Sequence, residues 1–224
     1  MAVNPNSEIE VTTFGWLPDF ARGLVRDLRV RWALEEAGLD YRVRTIGSPR
    51  PADYLKEQPF DQVPCFRDGT LQMFESGAIV QYIGEQYEPL LPRDPLGRYR
   101  AIQWSYAALN SVEPALLGLV GIDIFYQKEE WARLRRAGAE EFVRVKLKRV
   151  SEWLGERDWL EDRFTIGDLL MVTVLRLLRH TDIVAQYPSL AAYQQRAEAR
   201  PAFQRALADQ LALFDANQPK GETA

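Results

Sequence analysis

The chain has 224 residues, 46% hydrophobic and 27% charged, with a formal net charge of -4, which suits a globular protein with one good core or two modest ones and excludes disordered and collagen-like classes. The acidic balance gives no electrostatic reason to expect nucleic acid. Cys65 is the single cysteine and His180 the single histidine, which leaves no disulfide framework and argues against a metal cluster, a Ser-His-Asp triad or a Cys-His dyad. The most apolar run, Pro114 to Ile122, is broken by Asp123, short of the roughly 18 residues of a membrane span, and the N-terminus is polar and acidic. No membrane and a cytoplasmic location are the expectation.

In chain order, Ile9 to Phe14 carries β-branched residues and predicts a first strand, and Pro18-Asp19 predicts a helix start with Asp19 as N-cap and Gly38 as C-terminal stop. Tyr41, Val43 and Thr45 alternate with arginines, a second strand. Residues 48 to 61 hold three prolines and read as loop with one helical turn at Ala52 to Glu57. Val63 to Phe66 and Leu71 to Phe74 read as a hairpin turning at Asp68-Gly69, followed by a helix from Ser76 to Gln86. The first 87 residues are therefore mixed α/β. Residues 88–97, with Pro89, Pro92 and Pro95, read as a linker, and 98–224 as an all-helical bundle with apolar residues at Ile102, Tyr106, Leu109, Phe142, Val145, Val150 and Trp153-Leu154. Thr165 and Asp168 have the spacing of a capping box, a stabilising device worth about 1 kcal/mol. Asn217 to Ala224 reads as a frayed polar tail.

Two short stretches carry chemistry. Pro64 after Val63 at the mouth of a strand has two readings: an ordinary edge-strand proline, or a cis turn that presents the Val63 backbone to a bound peptide. Ser76 at a helix start is either a plain N-cap or, with the helix N–H groups and the positive end of the helix dipole, a carboxylate site. Glu75 beside it suits an ammonium group. Together they would grip an amino-acid head group.

The order strand-helix-strand-loop-Val-Pro-hairpin-Glu-Ser-helix, then a proline-rich linker and a helical bundle, resembles the cytosolic glutathione transferases, of bacterial type and undetermined class. The resemblance covers nearly the whole chain: Pro59-Phe60-Asp61-Gln62-Val63-Pro64, Phe74-Glu75-Ser76-Gly77-Ala78-Ile79, Leu91-Pro92, Phe164-Thr165-Ile166-Gly167-Asp168, Tyr187-Pro188-Ser189-Leu190 and Arg200-Pro201-Ala202-Phe203. It implies a thioredoxin-like N-terminal domain and an all-α C-terminal domain. It further implies that Val63 pairs through its backbone with the cysteinyl part of glutathione, that Pro64 is cis, that Glu75 and Ser76 hold the γ-glutamyl end, and that Gln62 adds a contact. Implied partners are glutathione as cosubstrate, a small hydrophobic electrophile, and a second copy in a homodimer, in a detoxifying role; no metal is implied.

The resemblance fails where the sulfur should be held. Family members place a Tyr, Ser or Cys after the first strand, and Thr13-Phe14-Gly15-Trp16-Leu17-Pro18-Asp19-Phe20 offers none. Lowering a thiol by about two pKa units takes about 2.7 kcal/mol of preferential thiolate stabilisation. Thr13 is the nearest hydroxyl, Trp16 offers an indole N–H, local backbone N–H groups offer more, and Arg22 offers a charge if the first helix begins early. Arg22, Arg26 and Arg29 share one helical face, which alternatively is solvated or pairs across a dimer. Cys65 reads as a buried small hydrophobe and His180 as a dipole partner at a helix C-terminus. Met73, Trp104, Tyr106, Phe125, Tyr126 and Trp131 either line a second-substrate pocket or form bundle core. The expected activity is transfer of glutathione to an electrophile. The alternatives are a non-catalytic binding or regulatory module and a glutathione-dependent isomerase or peroxidase.

Overall fold

The computed structural model describes residues 3–47 and 49–219; the expectations for Met1, Ala2 and Ser48, and for the tail from residue 220 on, lie outside them. The chain divides into two compact units, one of Met1–Leu90 with Arg200–Ala224 and the other Leu91–Ala199.

The first unit follows the expected order: β1 (Glu10–Phe14), α1 (Asp27–Ala37), β2 (Arg42–Ile46), a 3-10 turn (Ala52–Lys56), β3 (Cys65–Asp68), β4 (Leu71–Phe74) and α2 (Ser76–Gln86). The strands lie in the order β2-β1-β3-β4, with β1 parallel to β2 and the other pairs antiparallel. β-branched residues shape β1, whose Val11 and Thr13 are fully buried. The hairpin loop is Gly69-Thr70, one residue later than expected, since Asp68 still pairs with Leu71, and Gly69 alone takes a positive φ.

α1 departs from expectation. It begins at Asp27, eight residues after the anticipated cap Asp19. The stretch between is a chain of tight turns, Ala21 N–H to Pro18 O (2.9 Å) and Leu24 N–H to Ala21 O (3.0 Å), broken from the helix by Gly23 at φ 73°, a conformation that costs other residues about 1–2 kcal/mol.

The last helix, α8 (Pro201–Ala216), also departs from the expected division, because it belongs to the first unit and packs on α1. The cause is a polar seam, buried at Asp27, Arg31 and Gln210 and more exposed toward Arg205 and Arg200. Gln210 Nε2 donates to Asp27 Oδ1 (2.7 Å), Arg31 Nε donates to Asp27 Oδ2 (2.7 Å), Arg205 pairs with Glu35 (2.6 Å), and Arg200 grips both oxygens of Glu36 (2.6 and 2.7 Å). Trp32 and Phe203 meet edge to face at 4.8 Å. Burial pushes the Asp27 carboxyl up, against the opposing pull of Arg31.

In the second unit, α3 (Pro95–Tyr106) starts inside the expected linker: Asp94 caps it through the Gly97 N–H (2.8 Å), and Pro95 takes the first helical position, where its missing N–H costs nothing. α3 continues through a π-helical stretch (Ala107–Val112), α4 (Glu113–Val120) and a second π stretch (Gly121–Phe125). By length and composition alone this run, Pro95–Phe125, meets the requirement for a membrane span, contrary to the sequence expectation; it packs here as a bundle helix, with α3 on α6 and α4 on α5. α5 (Glu130–Leu154) buries Val143, Leu147, Val150 and Leu154. Of the residues expected in this stripe, Val150 and Leu154 are buried, whereas Phe142 is 53% exposed and Val145 49%, because apolar residues occupy two adjacent helical faces and periodicity alone does not choose between them; on α3 the expected Tyr106 is 58% exposed.

The centre of the bundle is α6 (Ile166–Leu175), every residue of which is buried. A Cβ on Gly167 would stand 2.6 Å from Trp104 Cβ and 3.1 Å from the Ala101 carbonyl, so the close approach of α3 to α6 requires glycine. The capping box is formed: Thr165 Oγ1 accepts from Gly167 N–H (3.2 Å), and Asp168 Oδ2 accepts from Thr165 N–H (2.9 Å). α7 (Pro188–Glu198) completes the unit.

Candidate functional site

The Val63-Pro64 peptide bond is cis. It precedes β3, whose Cys65 pairs with Phe74 of β4, so the residues just before Cys65 and just after Phe74 emerge at one end of the hairpin. Register thus brings Gln62, Val63 and Pro64 beside Glu75 and Ser76.

The loop leading to Val63 is fixed from several sides. Tyr54 OH donates to the Gln62 carbonyl (2.6 Å), buried Gln58 accepts from Phe60 N–H (2.6 Å), and Asp61, at φ 57°, pairs with Arg50 (2.8 Å), which lies 5.2 Å over the Phe14 ring. The Val63 side chain is buried with Ile46, Tyr54 and Cys65. Among the described residues no backbone group pairs with the Val63 N–H or C=O. A loop held from several sides thus leaves a pair of backbone groups without a backbone partner, as an edge strand does.

On the other side, Glu75 is the N-cap of α2, at φ 70° and ψ 106°, with no side-chain capping bond. Its carboxylate is exposed. Ser76 is the first residue of the helix rather than its N-cap, and it is 4% exposed. Its Oγ accepts from Arg29 Nη1 at 3.3 Å. Arg29, itself 4% exposed, sits on α1, where the sequence read an arginine face turned to solvent or a partner. Its partner lies on another helix 47 residues on, so no local pattern marked Arg29 as inward-facing.

The residues considered for holding sulfur fare unequally. Thr13 is 0% exposed, so its hydroxyl is sealed from a ligand. Arg22 is committed elsewhere: it pairs with Asp19 (3.2 Å) and Asp215, donates to the Leu211 carbonyl (3.2 Å) and lies over the Phe214 ring. The late start of α1 is why. Gly15 N–H is bound to Ile46 O (3.4 Å). Trp16 stands half-buried in the loop after β1. Cys65 is buried, with its thiol pushed up by burial and donating to Tyr54 OH at 3.5 Å, so it fits the reading as a small hydrophobe.

In the second unit His180 lies beyond the end of α6, and its Nε2 stands 3.3 Å from Asp123 Oδ2, so it faces a carboxylate rather than the helix terminus. Tyr106, Phe125, Tyr126 and Trp131 are exposed rather than core, whereas Trp104 packs on Trp153 at 5.3 Å and donates to Glu161 (2.9 Å). Among the described residues no group of three or more His, Cys, Asp or Glu is placed to hold a metal.

A small mixed sheet with a cis-proline hairpin and a separate helical unit define a thioredoxin-like domain joined to a helical one. The family profile "Glutathione S-transferase, N-terminal domain" matches residues 20–85, and "Glutathione S-transferase, C-terminal domain" matches 125–201. Glutathione S-transferase 4 of Zea mays is 30% identical over 212 residues, covering 86% of this chain and 89% of the relative. A theta class glutathione S-transferase from Xanthomonas axonopodis pv. citri, solved with glutathione bound, superposes with a TM-score of 0.76 at 25% identity over 89% of this chain and 97% of its own. A glutathione transferase from Pseudomonas putida, with one glutathione disulfide bound per subunit, superposes at 0.78 with 22% identity, over 89% and 90% of the two chains. The chain belongs to the glutathione S-transferase family, a family of transferases.

Proposed function

We propose that the protein binds glutathione at the Val63-Pro64 and Glu75-Ser76 end of the hairpin and transfers it to a small apolar electrophile. The observation that carries this reading is the register that sets an open Val63 backbone beside an uncapped helix start bearing Glu75 and Ser76. Each group suits one part of the tripeptide. The Val63 N–H and C=O pair with the cysteinyl backbone, the Ser76 hydroxyl and first N–H groups of α2 take the γ-glutamyl carboxylate, Glu75 takes the ammonium, and Gln62 adds a contact. Pro64 keeps the Val63 groups turned outward.

Chemically, the glutathione thiol gives its proton to solvent, and the thiolate forms a carbon–sulfur bond as the electrophile loses its leaving group or takes up the electron pair. Positioning supplies much of the rate. With Thr13 sealed and Arg22 engaged, the Trp16 indole N–H is the side-chain donor left to this reading for the sulfur. The exposed aromatics Tyr106, Phe125, Tyr126 and Trp131 suit an apolar second substrate or a partner copy. A homodimer, a cytoplasmic location and a detoxifying role belong to the same reading.

Titration calorimetry with glutathione tests it. Micromolar to low-millimolar binding, weakened by Ser76→Ala, together with turnover of a panel of apolar electrophiles, is the expected result; no binding at millimolar glutathione sinks it. A first loop without Tyr, Ser or Cys favours a second reading, a binding module that holds glutathione without turning it over. Binding with no turnover of electrophiles or peroxides would select the module, and activity on isomerisation or peroxide substrates alone would select those reactions.

A further inference from the structure

We propose that Arg29 is a positioning residue for the α-carboxylate of the γ-glutamyl group, acting through Ser76 without touching the ligand; this rests on the reading of glutathione as the ligand. A guanidinium has five donors and no acceptor. In the contact between Arg29 Nη1 and Ser76 Oγ at 3.3 Å the serine oxygen must therefore accept. That contact takes one lone pair of the oxygen and leaves the hydroxyl proton to donate, and a donor is what a carboxylate requires. Without Arg29 the hydroxyl loses a contact that holds its rotamer, so its proton is held less firmly toward the ligand.

Burial strengthens the effect. Both residues are 4% exposed, so water competes poorly for the contact between them. Arg29 is held by contacts beyond Ser76 as well, and it reaches Ser76 across 47 residues of sequence, from α1 to α2. The bland alternative is that Arg29 ties the two helices together and acts on the site only through overall integrity.

Two ligands separate these. Glutathione and 4-aminobutyryl-cysteinylglycine, which lacks the α-carboxylate and keeps the amine and thiol, are titrated into the full chain carrying Arg29→Lys, Arg29→Met, Ser76→Ala or the double change Arg29→Met with Ser76→Ala. Arg29→Met should weaken glutathione about tenfold and leave the analogue within about twofold. Arg29→Lys should recover part of the loss, and Arg29→Met should add less than about twofold once Ser76 is alanine. Equal loss for both ligands, or full additivity with Ser76→Ala, overturns the proposal in favour of the structural role. Should Arg29→Met fail to fold, the glutathione-to-analogue ratio of Arg29→Lys decides: an unchanged ratio overturns the proposal. A wild-type protein that binds both ligands equally also overturns it, whereas one that binds neither defeats the glutathione reading itself.

Discussion

Two helices of this protein carry a hydroxyl residue and an acidic one at their start, and they use the pair in opposite ways. At α6 the end is closed. Thr165 accepts from Gly167 N–H, Asp168 accepts from the N–H groups of Thr165 and Leu160 (2.9 Å each), and Tyr193 OH donates to Asp168 Oδ1 at 3.0 Å. At α2 the end is open: Glu75 makes no cap, its carboxylate faces solvent, and the Ser76 hydroxyl is backed by Arg29. Every helix start leaves about four N–H groups without helical partners. Where the chain's own side chains supply the partners, the helix gains stability; where they do not, the same donors are left for a ligand.

The sharpest way to break this comparison is at Asp168. Asp168→Ala strips partners from Leu160 N–H, Thr165 N–H and Tyr193 OH at once, each buried, and should cost about 3 kcal/mol or more in denaturant unfolding. Glutathione affinity of the folded fraction should stay within twofold. A loss below about 1 kcal/mol would mean that the closed end is not a stabilising device. The same residue sets a pH dependence. Burial pushes the Asp168 carboxyl up from 3.8 to about 6, against the opposing pull of the Leu160 and Thr165 N–H groups. It therefore binds its proton more tightly folded than unfolded, so its stabilising contribution is fully present below about pH 4 and is lost as pH rises through about 6, at up to about 1.4 kcal/mol per pH unit. Unfolding free energies of wild type and Asp168→Asn between pH 4 and 7 should differ in slope over that window; parallel curves would contradict the assignment.

The converse holds at the open end. Ser76→Ala should weaken glutathione about tenfold, as expected for a hydrogen bond to a charged group, while changing stability by less than about 1 kcal/mol. Calorimetry and a melt on one sample check both halves. If stability falls and affinity does not, Ser76 is a second structural cap and the contrast between the two helices disappears.

Much of this was legible beforehand because it is local. The capping box needs only residues three apart, α2 needed only the strand-to-helix switch at Ser76, and both appear where the pattern placed them. What the sequence hid is long-range. Asp19 followed a proline and resembled an N-cap, but Gly23 and the grip of Arg22 on Asp215, 193 residues away, hold residues 19–26 in turns. α8 resembled one more bundle helix until Gln210, Arg205 and Arg200 found Asp27, Glu35 and Glu36 on α1. Arg29 was visible as a charge on a helix, yet its partner lies 47 residues on. Periodicity tells which residues share a face, not what covers that face.

The smallest expected effect falls on Glu75 and separates function from stability most cleanly. Its φ of 70° is a conformation that costs a non-glycine residue about 1 kcal/mol, and its side chain offers α2 no capping bond in return. Glycine adopts that conformation freely and is tolerated at an N-cap, although it loses more chain entropy on folding. Glu75→Gly should therefore leave the unfolding free energy unchanged or raise it by up to about 1 kcal/mol, while glutathione affinity falls severalfold through loss of the carboxylate opposite the ammonium. Glu75→Gln, which keeps the strained backbone and removes the charge, should lose affinity with no gain in stability. If Glu75→Gly destabilises the protein, the carboxylate serves the fold, and the start of α2 is closed after all.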